Sequence, residues 1–207
     1  KGRAVDAVSI IATGRGCPRT TYPETDEETE KVLFAHALRG SPVVNIDDIK
    51  RALCGGPLDK ALTSDTIDGR PLGQSRILTL RWLAVVFATG NNVEVRDDTR
   101  RRLMVGRLEP QSDRPELRRD FKHPNLLGWV RKERPRLVKA ALVILRAYQA
   151  AGRPKLCEHI GSFEAWTVIR ASMLFAGGLD VAETLPATTG EGDPTRAALG
   201  AFMSGLE

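Results

Sequence analysis

The chain contains few residues of the kinds that build disulfide frameworks, zinc sites and membrane spans. Its three cysteines are widely spaced and form no Cys-x-x-Cys pair, and its three histidines are scattered. This spacing indicates neither a disulfide framework nor a zinc site. No apolar run approaches the roughly 20 residues that a membrane-spanning helix needs, and no cationic segment leads into a signal-like apolar core. We therefore expect a soluble, cytoplasmic protein with no membrane partner.

The composition suits a folded α/β protein. With 207 residues, of which 42% are hydrophobic and 28% charged, the chain can bury a substantial core. Helical and strand-like patterns alternate up to about residue 110, and only helical patterns follow. This order predicts a mostly parallel sheet followed by an α-helical part.

The predicted elements follow from hydrophobic spacing and from glycine and proline punctuation. The predicted helices cover residues 2–12, 25–38 and 49–62, the last interrupted at 54–57. The predicted strands cover residues 19–22, 43–46, 83–88 and 103–108. Beyond residue 110, apolar helical faces occur at 126–130 and 137–148, and a further helix begins at Ser162, a good N-cap.

Two predicted strands end in side chains suited to nucleotide hydrolysis. Residues 42–46 form a short apolar strand that closes on Asp47 and Asp48, which is the Walker B design. The first acid there holds Mg²⁺ through water, and the second polarises the attacking water. The strand that ends in FATGNN offers Asn91 or Asn92 as a sensor of the γ-phosphate. Gly-Asn-Asn is also ordinary turn chemistry after a strand, so both interpretations stay open.

A charged segment follows the sensor strand. Residues 98–102 read Asp-Thr-Arg-Arg-Arg. Arg101 or Arg102 is a candidate arginine finger that reaches the γ-phosphate held by a neighbouring subunit. The alternative is a charged turn with no catalytic role.

Several motifs in this order resemble one family. The acid-ended strand, ATGNN and D-T-x-R-R are followed by FKHP at 121–124, WV at 129–130, RLV at 136–138 and GSFE at 161–164. Together they resemble the ATPase part of phage- and plasmid-type primase-helicase proteins, which are similar to superfamily 3 and AAA+ helicases. The resemblance covers roughly residues 1–185. It implies a P-loop NTPase fold with ATP and Mg²⁺ as cofactors. It also implies single-stranded DNA as partner and a homo-oligomer such as a hexameric ring.

The resemblance also assigns a role to the first residue. In the family, the Walker A lysine opens a helix that runs into I-A-T-G-R, and Lys1 lies at the matching distance before residues 11–15. Lys1 is therefore the implied phosphate-binding lysine, and Asp47 the implied partner of Mg²⁺. The family usually has Asp-Asn where this chain has Asp47 and Asp48.

The phosphate cradle itself is incomplete in this sequence. A P-loop needs glycines before the lysine and a hydroxyl after it, whereas Gly2 follows Lys1 here. We therefore expect a fragment: residues 1–110 form a partial ATPase core without its first strand and Gly-rich loop, 111–183 a helical lid, and 184–207 a linker with a terminal helix. We expect the fragment alone to be inactive. The alternative is a non-catalytic DNA-binding or assembly module that retains the ATPase shape.

Positive charge is concentrated in one stretch of the chain. Residues 99–136 contain 12 Lys and Arg against 5 Asp and Glu, within a chain of net charge +5. Such a segment favours phosphate backbones, although a solvated helical face has the same composition. The candidate nucleic-acid residues are Arg118, Arg119, Lys122, Arg131 and Lys132. By resemblance to the AAA+ lid, Arg114, Arg134 or Arg136 supplies a second basic sensor.

Overall fold

A computed structural model describes residues 1–71, 73–106, 108, 114, 117–159 and 163–178. The helices are α1 (Gly2–Thr13), α2 (Asp26–Arg39), α3 (Gly56–Thr63), α4 (Leu126–Ala150) and α5 (Glu164–Phe175). The strands are β1 (Arg19–Thr21), β2 (Val43–Ile49), β3 (Thr66–Gly69), β4 (Leu78–Arg81) and β5 (Val85–Gly90), and residues Asp97–Arg102 form a 3-10 helix. In this described part of the chain, no helix combines the length and apolar character required to cross a bilayer. The predicted mixed α/β class is confirmed.

The main sheet has three parallel strands in the order β1-β2-β5. Helix α2 connects β1 to β2, and α3 with the β3 and β4 strands connects β2 to β5, as the long crossovers between parallel neighbours require. The sensor strand β5 lies directly beside the acid-ended strand β2, with Asn45 opposite Phe87. Because the strands are parallel, their carboxyl ends lie at one edge of the sheet. This edge brings together the residues that follow β2 and β5.

The two faces of the sheet are covered by different helices. Val44 and Ile46 of β2 belong to the main core, which also contains Leu33 and Phe34 of α2 and Leu58 of α3. Alternate residues of a strand point to opposite faces. Val43 accordingly packs with Val5 of α1 and with Cys17 in a smaller cluster on the other face. The position of α1 on this second face places its first residue near the carboxyl edge.

Helix α1 is held at its end by two features. Gly14 follows it in the left-handed region, with φ 81°, and its N–H bonds to the Ile10 carbonyl. The Arg134 Nε of α4 donates to the carbonyls of Ile10 and Ile11 at 2.9 and 3.1 Å. A cation at this position also complements the negative end of the helix dipole.

A small antiparallel pair, β3 with β4, was not expected from the sequence. The Asp-Gly-Arg-Pro stretch at 68–71 is typical of a turn by its sequence alone, yet its first two residues pair with β4. Gly69 lies so close to Phe34 that a Cβ atom there would be 2.4 Å from the phenyl ring. The glycine therefore reflects close packing of the pair against α2.

Two predictions in the first half of the chain were wrong in part. Residue Ile49 is not helical: β2 continues to it and pairs it with Gly90, and Ile49 is 3% exposed. The following helix starts only at Gly56, where Pro57 occupies the first turn, as is favoured for proline. Residues 103–106 and Leu108 are not in a strand. Leu103 packs against the main core from a loop, so its apolar character serves packing without strand pairing.

The helical faces at 126–130 and 137–148 belong to one helix. Helix α4 runs for 25 residues through Pro135. An internal proline costs about 3 kcal/mol, which is why the sequence favoured an interruption. Packing of α4 against α1 offsets this cost. The further helix, α5, begins at Glu164, whereas its predicted cap, Ser162, and the predicted linker and terminal helix at 184–207 lie outside the described residues.

Candidate functional site

Lys1 lies at the carboxyl edge of the sheet, beside the end of β5. Its ammonium donates to the Gly90 carbonyl and to the Asn91 Oδ1, both at 2.6 Å. These residues are 89 and 90 positions apart from Lys1 in the chain. The fold therefore joins the predicted phosphate-binding lysine to one of the two predicted sensor amides.

Asp47 lies at the same edge, near the end of β2. Its Oδ1 accepts a hydrogen bond from the Thr89 hydroxyl on β5, and its Oδ2 lies 3.3 Å from the Arg19 Nε on β1. The carboxylate is about one-quarter exposed, at 27%. Thr89 and Arg19 were missed by the sequence analysis, because only their alignment beside Asp47 in the sheet reveals them.

Asp6 of α1 completes a chain of polar contacts. Its Oδ2 lies 3.1 Å from an Arg19 guanidinium nitrogen, and its Oδ1 accepts from the Cys17 backbone N–H at 3.3 Å. Burial, reinforced by the Asp6 charge, raises the pKa of the Cys17 thiol. That thiol therefore stays neutral at ordinary pH and is unsuited to nucleophilic chemistry.

Asp48 is separated from these groups. It adopts a left-handed backbone, with φ 56°, at the point where the β2–β5 register shifts. Its carboxylate is 68% exposed and pairs with Lys50 at 3.1 Å. Such a bulge turns successive side chains in different directions. The two adjacent carboxylates consequently do not share one set of partners.

The second amide, Asn92, is also set apart from Lys1. Asn92 is exposed and left-handed, with φ 49°, in the turn after β5. Asparagine tolerates this conformation better than most residues. The contact with Lys1 is made by Asn91, so Asn91 is the sensor candidate that the geometry favours.

The two finger candidates differ in how firmly they are held. The Arg102 side chain is 16% exposed and pairs with both Asp59 and Asp98, at 3.1 and 2.7 Å. Asp59 also accepts from the Thr99 hydroxyl at 2.7 Å, and Thr99 is fully buried. Arg101 is 66% exposed and pairs only with Asp98 among the described residues. Breaking the exposed ion pair of Arg101 therefore requires far less free energy than breaking the buried pairs of Arg102.

The candidate nucleic-acid residues all lie at the surface. Arg118 pairs with Asp120 at 2.9 Å, and its guanidinium lies 5.1 Å from the centre of the half-exposed Phe121 ring. Beside this segment, His123 stacks on Trp129 with ring centres 4.1 Å apart. The exposed set consists of Arg118, Arg119, Lys122, Arg131 and Lys132.

The proposed second sensors have other contacts. Arg134 binds the carbonyls at the end of α1, and Arg136 pairs with Glu133 at 2.7 Å. Arg114 lies in a stretch where the structure describes few neighbouring residues. Neither Arg134 nor Arg136 contacts Lys1 or Asp47.

The donor set at the carboxyl edge fits a nucleotide-bound magnesium better than a protein-held metal. Within the described part of the chain, no three His, Cys, Asp or Glu side chains form a metal-binding group. Mg²⁺ in nucleotide sites is held by one or two carboxylates together with phosphates and water. Asp47 with the Thr89 hydroxyl is a donor set of this size, and the Lys1 ammonium lies at the same edge of the sheet. Asn45, two residues before Asp47, is fully buried, and neither of its amide atoms has a hydrogen-bond partner among the described residues.

Comparison with known proteins places the chain in no family. No protein-family description, curated protein or solved structure matches it.

Proposed function

We propose that the carboxyl edge of the sheet binds the phosphates of ATP with Mg²⁺. The natural polypeptide that contains these residues is then an ATP-driven DNA helicase or translocase of a mobile-element replication protein. The observation that carries this proposal is the convergence of Lys1, Asp47 and Asn91, which lie far apart in sequence, at the ends of two adjacent parallel strands. Ligands of open parallel sheets bind at this edge.

Each of these side chains suits one part of phosphate chemistry. The Lys1 ammonium is a point charge for the β- and γ-phosphate oxygens. Asp47 binds Mg²⁺ directly or through water, and Mg²⁺ neutralises charge on the phosphates when it is bound. The Asn91 amide orients a water molecule or senses the terminal phosphate. The Lys1 ammonium is bonded to Asn91 at 2.6 Å, and Asp47 is bonded to Thr89, two residues before Asn91 on the same strand end.

The remaining candidate residues differ in whether their contacts are compatible with a role in the proposed activity. Asp48 is engaged with Lys50, so it gives no support to a second acid that polarises water. Arg101 is exposed and is the better candidate for a finger that acts on a neighbouring subunit of a ring. The exposed basic residues around 118–132 are suited to the backbone of single-stranded DNA.

A non-catalytic DNA-binding or assembly module is the second candidate. It is favoured by Gly2, which supplies no hydroxyl for Mg²⁺ where P-loops have one. It is also favoured by the contacts that Lys1 and Asp47 already make with partners in the chain. Such a module binds DNA without turning over ATP.

The test is binding of a fluorescent ATP analogue to the natural polypeptide that contains residues 1–207. Lys1→Met removes a charged donor worth about 1.5–3 kcal/mol, so affinity should fall roughly 10- to 100-fold. Lys50→Met, a matched exposed lysine, should leave affinity within about twofold. Equal affinity in both variants contradicts the nucleotide site. Binding without DNA-stimulated hydrolysis supports the non-catalytic module.

A further inference from the structure

Arg19 bridges two carboxylates from different elements. Its Nε lies 3.3 Å from the Asp47 Oδ2 on β2, and a terminal nitrogen lies 3.1 Å from the Asp6 Oδ2 on α1. The arginine side chain is half exposed, whereas the exposed fractions of Asp6 and Asp47 are 15% and 27%. One half-exposed cation therefore pairs with two less exposed acids.

The guanidinium also lies against the start of α1. A Cβ atom on Gly2 would be 3.0 Å from an Arg19 terminal nitrogen, so the glycine leaves the room that the arginine occupies. The N-terminal end of a helix disfavours a nearby cation. Arg19 is thus held beside Lys1 by its carboxylate partners, against the field of the helix.

Both carboxylate oxygens of Asp47 have a partner in this arrangement. One of its oxygens accepts from Thr89 and the other faces Arg19. A divalent cation that binds the Arg19-facing oxygen competes with the guanidinium for it, since both positive charges require the same site. If Arg19 leaves Asp47, it retains Asp6 as a partner, so its departure does not strand an unpaired charge.

We propose that Arg19 is a positioning residue that holds Asp47 in the nucleotide-free protein and yields this carboxylate to a magnesium–nucleotide complex. Arg19 thereby sets the Mg²⁺ concentration that nucleotide binding requires. This inference rests on the proposed function. It concerns an exchange of partners at Asp47, with no covalent step.

The experiment measures the Mg²⁺ concentration that half-saturates binding of a fluorescent ATP analogue to the natural polypeptide. In Arg19→Gln, the competing charge is gone, and the Mg²⁺ midpoint should fall about three- to fivefold, the scale of a partly exposed ion pair. Arg19→Lys keeps the charge but loses the bidentate fork, so its midpoint should lie between the two. Arg3→Gln, an exposed arginine of α1, is the matched control and should leave the midpoint unchanged.

Three outcomes overturn the inference in distinguishable ways. An unchanged or raised Mg²⁺ midpoint in Arg19→Gln contradicts the role of Arg19 while leaving the nucleotide site intact. Wild-type binding that is equal in EDTA and in Mg²⁺ shows that Asp47 receives no cation, so the exchange does not occur. Absence of nucleotide binding by the wild type at any Mg²⁺ concentration removes the proposed function and this inference together.

Discussion

Replacing Arg134 with methionine tests whether this arginine is a structural cap of α1 or a sensor of nucleotide. Methionine retains most of the apolar stem and removes the guanidinium. In the folded chain, the Arg134 Nε is shared between the Ile10 and Ile11 carbonyls at 2.9 and 3.1 Å. Its loss leaves the last turn of α1 without this charged donor, and we expect lower stability.

The magnitude follows from the number and kind of bonds. Because one N–H is shared by two carbonyls, we count it as a single hydrogen bond to a charged group, about 1.5–3 kcal/mol. The lost interaction with the helix dipole adds about 0.3–1 kcal/mol. We therefore expect a decrease of roughly 2–4 kcal/mol in the free energy of unfolding. For a chain of this size, that corresponds to a melting temperature about 4–16 °C lower.

Urea unfolding followed by circular dichroism measures this change directly. Arg131→Met is the control, because Arg131 lies one helical turn earlier in α4 and is exposed. Its effect should remain within about 0.5 kcal/mol. A similar small effect for Arg134→Met would refute the capping argument. Normal stability with a selective loss of ATP affinity would return Arg134 to the role of second sensor.

Three further predictions concern other parts of the molecule. Arg102→Ala leaves Asp59 without its cation and should lower the free energy of unfolding, measured in urea, by about 2–4 kcal/mol. Arg101→Ala should change it by less than about 0.5 kcal/mol, because Arg101 is exposed. Equal effects of the two substitutions would contradict the difference in burial. Burial, and to a lesser extent the nearby Arg39 charge, lowers the pKa of His36 below 6.5. As the pH falls, the unfolded chain therefore binds a proton at His36 before the folded chain does. The free energy of unfolding should consequently decline as the pH falls through about 6.5. Urea midpoints at about pH 5 and pH 7.5 should differ less in His36→Gln, and an unaltered difference would rule out His36 as a contributor. Asn45→Leu replaces two unpartnered amide atoms and should raise the free energy of unfolding by roughly 1–2 kcal/mol; a decrease would mean that the amide is satisfied in solution.

The sequence predicted local structure well where turn and capping chemistry is explicit. The helix predicted over 25–38 agrees with α2 to within one residue at each end, because the Thr25 cap and the left-handed Gly40 act within a few residues. Local signals were misleading at Pro135, because a proline usually interrupts a helix. Helix α4 continues through Pro135 and packs against α1, which is distant in sequence. Local signals were also misleading at residues 103–106, whose apolar side chains suggested strand pairing.

The candidate site shows the same division between local and distant information. Asp47 could be proposed from its own strand, because an apolar run that ends in an acid is visible in one segment. Thr89 and Arg19 could not, since their significance depends on the register of β1 and β5 beside β2. Similarly, the sequence offered Asp48 as an equal partner of Asp47, but only the register shift reveals that the two carboxylates separate.

Helix α1 is held by side-chain hydrogen bonds at both of its ends. At its start, Lys1 donates a hydrogen bond to Gly90 of β5, and at its end the Ile10 carbonyl accepts one from Arg134 of α4. Twelve residues at 1.5 Å each put these ends about 18 Å apart, beyond the distance at which substitutions usually influence one another. Lys1 and Arg134 contact different partners, the first Gly90 and Asn91, the second Ile10 and Ile11. The effects of substitutions at the two ends on the free energy of unfolding should therefore add to within about 0.5 kcal/mol.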